Sequence, residues 1–312
     1  MILSLAGIVL GADFLVKGAV VVARKCRVSS FVIGAVIVGI GTSLPELVVS
    51  TVGAIGGNSE VAIGNVVGSN IFNVFAILGL TALFFPIAVS RENMKFEIPF
   101  CIAVSILLML LVYNFFVVGE PRLGRWDGVA LLLVFTAFMW ISLRRGKNSA
   151  AVIGESVEEE NKSLWFAAFS ILGGLAALIV SSNFFVDEAV AIARKLGVSD
   201  AFISITLLAC GTSLPELAAS VTAAVKKDTD MALGNIIGSN IFNATMILGT
   251  ASLITPLTTG KIGLVDYGAM ILAAVLPMIF GIRGKITRFE GLLMLLCYAA
   301  YTWYIVTYVM AV

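Results

Sequence analysis

The sequence predicts an all-α polytopic membrane protein, with ten transmembrane helices arranged as two inverted five-helix repeats. Three observations predict it. The chain has 312 residues, 60% of them hydrophobic and only 12% charged, where soluble domains carry about 25% charged residues. Apolar stretches of roughly 20 residues, each long enough to cross a bilayer, recur from end to end. The second half of the chain also repeats the first, residue for residue over long stretches.

Composition excludes several classes. The chain contains no histidine, which rules out a Ser-His-Asp triad, a His-liganded metal and a His proton relay. Its four cysteines, Cys26, Cys101, Cys210 and Cys297, form no CxxC pair and read as small apolar fillers rather than a disulfide framework or soft-metal site. A net charge of +1 without a basic tract gives no basis for a nucleic-acid partner. The apolar stretch 1–20 lacks a basic flank and leads into more helix, so it reads as a first span rather than a cleaved signal.

Ten spans are expected, at about 2–23, 31–56, 61–86, 97–118, 126–143, 164–193, 201–225, 231–256, 264–282 and 288–311. Residues 1–143 form the first repeat and 164–312 the second. The polar segment 144–163, with Glu155, Glu158, Glu159 and Glu160, reads as a solvated linker. Adding 170 to a residue number aligns Glu46 with Glu216, Gly64-Asn65 with Gly234-Asn235, Gly68–Asn73 with Gly238–Asn243, and Pro86 with Pro256. Further along the offset falls, and Arg125-Trp126-Asp127-Gly128 pairs with Arg288-Phe289-Glu290-Gly291. An odd number of spans per half makes the halves enter the membrane in opposite senses, the arrangement of many secondary transporters. With both termini outside, cytoplasmic loops hold fourteen Lys and Arg and external loops five. The positive-inside rule therefore predicts extracytoplasmic termini and a cytoplasmic linker in a multi-pass cell-membrane protein.

The heptapeptide Gly-Thr-Ser-Leu-Pro-Glu-Leu occurs twice, at 41–47 and 211–217, each time inside an apolar run. An ionisable residue inside a membrane span is a functional-site hypothesis by default. Thr42 and Ser43 lie four and three residues before Glu46, on one helical face. Pro45 has no N–H and crowds the carbonyl of Gly41, so carbonyls near Gly39–Gly41 are expected to leave the helix ladder. Carboxylate, hydroxyl and carbonyl oxygens together suit hard cations such as Ca²⁺ and Na⁺. Ser69, Asn73, Ser239 and Asn243 follow the small-residue motifs facing the Glu helices and are expected as ligands or gates. Asn65, Asn70, Asn235 and Asn240 read as polar glue between helices packed at Gly64, Gly68, Gly234 and Gly238. Asp13 and Lys17 are spaced to pair, and Asp187 and Glu188 read as interfacial.

At these duplicated motifs the chain resembles the cation/calcium antiporter superfamily, most closely its prokaryotic Na⁺/Ca²⁺ exchanger branch. GTSLPE and GSNIFN, each present twice, are similar to that family's paired α-repeats, and the likeness covers nearly the whole chain. The resemblance implies a secondary active antiporter, not an enzyme, exchanging Na⁺ for Ca²⁺ by alternating access without a cofactor. It implies a Ca²⁺ site of Thr42, Glu46, Thr212 and Glu216. Flanking Na⁺ sites would use Ser43, Ser69, Ser213 and Ser239 with the carbonyls of Gly39 and Ala209, and Asn73 and Asn243 would line the centre. Some relatives, including potassium-dependent exchangers, carry Asp at the position of Asn243, so this chain looks K⁺-independent. The alternative is an H⁺/Ca²⁺ or other divalent-cation antiporter, whose branch typically carries a GN-x-x-E-type element instead of GTSLPE.

One Ca²⁺, or two Na⁺, neutralises two carboxylates, and a third Na⁺ leaves a net positive complex. Electrogenic exchange with more than two Na⁺ per Ca²⁺ is therefore expected, with spans one and six, the least polar, as the moving pair. A channel would need a continuous pore. An enzyme would need more than Ser43 or Ser213 beside a glutamate. Nothing in the sequence specifies an oligomeric state.

Overall fold

The computed structural model describes residues 1–113, 121–148, 162–195 and 211–309. Among these, eight helices are long and apolar enough to cross a membrane: Ile2–Cys26, Ser59–Phe84, Asn93–Tyr113, Arg125–Gly146, Leu164–Lys195, Thr229–Ile254, Leu264–Gly281 and Arg288–Thr307. The broken pair Ser30–Thr42 and Leu44–Ile55, counted as one span, makes nine. Leu214–Val225 is a shorter apolar helix. Residues 201–210, expected as the start of span seven, lie outside the described residues. The protein is a helical multi-pass membrane protein.

Contacts divide the chain into two compact units, each drawing on both sequence repeats. The first contains Met1–Ser43 and Trp140–Gly238, the second Leu44–Met139 and Ser239–Val312.

In the first unit, the Ile2–Cys26 and Leu164–Lys195 helices meet through glycines. A Cβ on Gly11 would lie 2.9 Å from the Gly174 carbonyl oxygen, and one on Gly174 2.7 Å from that of Gly11. Small residues allow this backbone approach where lipid offers no hydrophobic drive for association. Gly234 and Gly238 approach Phe31 and Ala35 in the same way. The counterparts expected for Gly64 and Gly68, in 201–210, lie outside the described residues. Asp13 pairs with Lys17 at 2.6 Å as its spacing predicts, and Lys226 joins at 2.7 Å. Ser4 donates to Glu188 at 2.8 Å. Asp228, beyond the end of Leu214–Val225, accepts the Met231 amide at 3.0 Å. Burial raises its pKa, against the lowering effect of that amide, Ser30 and Arg24.

In the second unit the helix contacts recur at the sequence offsets. Gly79 packs on Gly291, and Gly128 on Gly249, each with a carbonyl oxygen 2.7–3.2 Å from the position a Cβ would take. Residues before proline are pushed to extended backbone. Phe85 (φ −129°, ψ 102°) and Thr255 (φ −147°, ψ 141°) accordingly end their helices before Pro86 and Pro256. Each then enters a two-residue strand. Ile87–Ala88 pairs antiparallel with Lys285–Ile286, and Arg122–Leu123 with Leu257–Thr258.

Several boundaries differ from expectation. Span four, expected from about 97, is helical from Asn93: Asn93–Glu97 forms a π turn in which Glu97 is buried. The helix beginning at Arg125 runs to Asn148, so the linker's first residues are helical. Arg144 is held there by stacking 3.9 Å from the Trp140 ring centre. Cys101 is a buried filler, whereas Cys26 is exposed at its helix end. Residues 149–161 and Cys210 lie outside the described residues.

Two non-glycine residues, Arg27 (φ 51°) and Lys227, adopt left-handed backbone among the described residues. Leu44–Ile55 ends at Gly57 (φ 75°), with Asn58 N donating to Gly53 O at 2.9 Å. At the +170 position, Lys227 adopts φ 64°, with Asp228 N donating to Ala223 O at 2.9 Å. A left-handed residue with a Cβ costs roughly 1–2 kcal/mol. Lys227→Gly is therefore expected to raise stability by about 1 kcal/mol, seen as a higher unfolding temperature in detergent. A lower one would mean that the lysine side chain makes a compensating contact.

Candidate cation-binding site

Each heptapeptide opens a helix at its Leu-Pro-Glu. Leu44–Ile55 and Leu214–Val225 carry Glu46 and Glu216 in their first turns. Proline suits such a start because the first amides of a helix have no acceptor within it. The positive end of the helix dipole favours a carboxylate there. Both glutamates are fully buried.

In the first unit, Ser43 Oγ donates to Glu216 Oε1 at 2.8 Å. Glu216 Oε2 is buried with no hydrogen-bond partner among the described residues. The Thr42 hydroxyl donates to the Val38 carbonyl at 3.0 Å and lies 3.3 Å from Asn235 Oδ1. With its hydrogen taken, its lone pairs remain for a ligand. Asn235 Nδ2 donates to the Glu216 carbonyl at 3.2 Å and to Ser220 Oγ at 2.8 Å, bracing the glutamate's own backbone. Ser213 is fully buried, and Thr212 Oγ1 is a buried atom without a partner among the described residues.

The second unit holds the matching brace. Asn65 Nδ2 donates to the Glu46 carbonyl at 3.2 Å and to Ser50 Oγ at 3.0 Å. Ser69, Asn73, Ser239 and Asn243 are all buried. Ser69 Oγ, Asn73 Oδ1 and Asn243 Oδ1 have no hydrogen-bond partner among the described residues. Buried polar atoms are normally satisfied. Open oxygens of this kind are what a site for a hard cation uses.

One sequence expectation needs revising. The Gly39 carbonyl is not released by Pro45, because it accepts the Ser43 amide at 3.1 Å. Asn65, Asn70, Asn235 and Asn240 bridge helices as expected, and their partners are the backbone of Glu46 and Glu216 and the side chains of Asn73 and Asn243. Ala209 lies outside the described residues. Two features were missed. Ser50 and Ser220 follow their glutamates by four residues at the same offset, a visible signal. The π turns Asn73–Leu78 and Asn243–Ile247 begin at the site asparagines, and nothing in the residue pattern announces them.

A multi-pass helical protein with a fully buried glutamate in each of two matching helix starts belongs to the class of membrane proteins that carry ionisable groups within their spans. The chain belongs to the sodium/calcium exchanger family, whose family model, described as "Sodium/calcium exchanger protein", matches residues 1–144 and 166–307. It is 35% identical to the sodium/calcium exchanger MaX1 of Methanosarcina acetivorans, over 96% of each chain. It is 34% identical to the inner membrane protein YrbG of Escherichia coli, over 88% of this chain and 86% of the relative. A solved structure of the sodium-calcium exchanger NCX_Mj superimposes with a TM-score of 0.83 at 33% identity, covering 98% of this chain and 97% of that one. The protein is thus an antiporter-type transporter and not an enzyme.

The Asn235 brace makes a testable coupling. Asn235→Leu removes two buried hydrogen bonds and is expected to lower stability by about 2 kcal/mol. Adding Ser220→Ala should then cost less than it does alone, because the partners are shared. Thermal unfolding of the four proteins measures the coupling, and additive losses would show that the two side chains act independently.

Proposed function

We propose that the chain exchanges Na⁺ for Ca²⁺ across the cell membrane as an electrogenic, K⁺-independent antiporter working by alternating access. The observation that carries this reading is the full burial of Glu46 and Glu216, the latter accepting a hydrogen bond from the Ser43 hydroxyl. The names of the relatives point the same way.

In this reading Thr42, Glu46, Thr212 and Glu216 bind Ca²⁺. Ser43, Ser69, Ser213 and Ser239, with the Gly39 and Ala209 carbonyls, bind Na⁺, and Asn73 and Asn243 line the centre. The Ser43–Glu216 hydrogen bond is lost or re-formed as ions exchange on the carboxylate. The two ions cannot bind together because both need both carboxylates. One Ca²⁺ leaves the pair neutral, whereas three Na⁺ leave one net positive charge. The membrane potential then adds about 2.3 kcal/mol per charge per 100 mV to the driving force. Asparagine at 73 and 243 contributes oxygens without a third titratable group, which fits K⁺ independence. The glycine-packed Ile2–Cys26 and Leu164–Lys195 pair is the moving element. The topology is ten spans in two inverted five-helix repeats, 1–143 and 164–312, joined by the cytoplasmic 144–163 linker, with both termini outside.

Proteoliposomes loaded with Na⁺ test this reading through uptake of radiolabelled Ca²⁺. Each cycle would move net positive charge outward. An inside-positive potential should therefore speed uptake, an inside-negative one should slow it, and replacing K⁺ with an organic cation should change nothing. Glu46→Gln and Glu216→Gln should each abolish Na⁺-driven uptake. Near-normal flux in either variant would refute the site, and uptake driven by a proton gradient alone would favour H⁺ coupling.

A further inference from the structure

We infer that Asn70 and Asn240, which face no ion in the reading above, are positioning residues that decide which atom Asn73 and Asn243 present to the ions. The inference rests on that reading, in which Asn73 and Asn243 line the site.

A primary amide has two ends of opposite character: the oxygen binds a cation and the NH₂ group repels it. An asparagine in a cation site is useful only in one of its two orientations. Here a relay sets the orientation, anchored at its start by a backbone carbonyl. Asn70 Nδ2 donates to the Asn240 carbonyl at 3.0 Å, and Asn240 Nδ2 donates to the Asn70 carbonyl at 3.1 Å. A carbonyl oxygen has no hydrogen to give, so each asparagine must turn its NH₂ group toward it. Their oxygens then point the other way. Asn70 Oδ1 accepts from Asn243 Nδ2 at 3.1 Å, and Asn240 Oδ1 accepts from Asn73 Nδ2 at 3.0 Å. Both site amides thereby have their NH₂ groups engaged, and Asn73 Oδ1 and Asn243 Oδ1 are the buried ends left open.

The four side chains are at most 3% exposed. A lost partner therefore leaves a buried amide end unsatisfied. The relay is crossed: Asn70 acts on Asn243 of the other repeat, and Asn240 on Asn73. Each arm begins beside a π turn, Asn73–Leu78 or Asn243–Ile247, a helix irregularity found frequently at functional sites.

The crossed pairing gives a test that a merely structural role would not pass. Asn70→Leu removes the acceptor for Asn243, and loss of one such buried hydrogen bond should raise the half-saturating Ca²⁺ concentration of Na⁺-driven uptake about tenfold. Aspartate has an oxygen at both ends, so its orientation carries no information. In an Asn243→Asp background, Asn70→Leu should change half-saturation by less than about twofold. In an Asn73→Asp background the full effect should remain. Asn240→Leu should show the reverse dependence. Where leucine yields no folded protein, Asn70→Ser, too short to reach Asn243, takes its place. An equal loss in all three backgrounds, or unchanged half-saturation in Asn70→Leu alone, would overturn the orientation role while leaving the exchanger reading intact. Wild-type protein that takes up no Ca²⁺ against Na⁺ would overturn both.

Discussion

The structure depends on keeping two carboxylates, Glu46 and Glu216, fully buried in a membrane-spanning bundle. An ionised carboxylate taken out of water is strongly disfavoured unless it is paired or hydrogen-bonded. The surroundings answer that demand in layers. Each glutamate sits at the positive end of a helix. Glu216 accepts a serine hydroxyl, and an asparagine holds the backbone of each glutamate in place. The helices carrying Asn65–Asn73 and Asn235–Asn243, Ser59–Phe84 and Thr229–Ile254, are mostly buried, whereas Arg288–Thr307 is mostly exposed. The polar spans are thus the most enclosed ones, as expected where lipid cannot satisfy polar groups.

Duplication shapes how the polar groups are satisfied. The glutamate brace, the glycine contact of Gly79 with Gly291 and Gly128 with Gly249, and the short two-stranded sheet each occur twice at the sequence offsets. The asparagine relay goes further, since its two arms are complete only when each repeat reads a carbonyl of the other. A change in one repeat therefore reaches an oxygen carried by the other. Such linkage suits a transporter in which one site must be served from both faces.

Much of this was legible in the sequence, for physical reasons. Apolar length marks spans because a bilayer has a fixed thickness, and the buried glutamates stand out because charge in hydrocarbon is rare. The Asp13–Lys17 pair and the helix stops before Pro86 and Pro256 follow from local geometry. What escaped depends on partners distant in sequence. Whether Asn70 is glue or a positioning residue turns on where its oxygen points, and the Asn240 carbonyl decides that from 170 residues away. The burial of Glu97 and the π turns at Asn73 and Asn243 reflect an extra residue in a helix turn, which no periodicity records. The Gly39 carbonyl kept its amide partner because Pro45 disrupts the ladder at Gly41, two residues later.

The central claim is that Ca²⁺ and Na⁺ exclude one another by needing the same pair of carboxylates. Equilibrium Ca²⁺ binding to the purified protein, titrated against rising Na⁺, tests it most directly. The account predicts a single Ca²⁺ site whose apparent dissociation constant rises without limit, faster than the square of the Na⁺ concentration. A plateau in that constant at high Na⁺ would mean that both ions bind at once, and would contradict it.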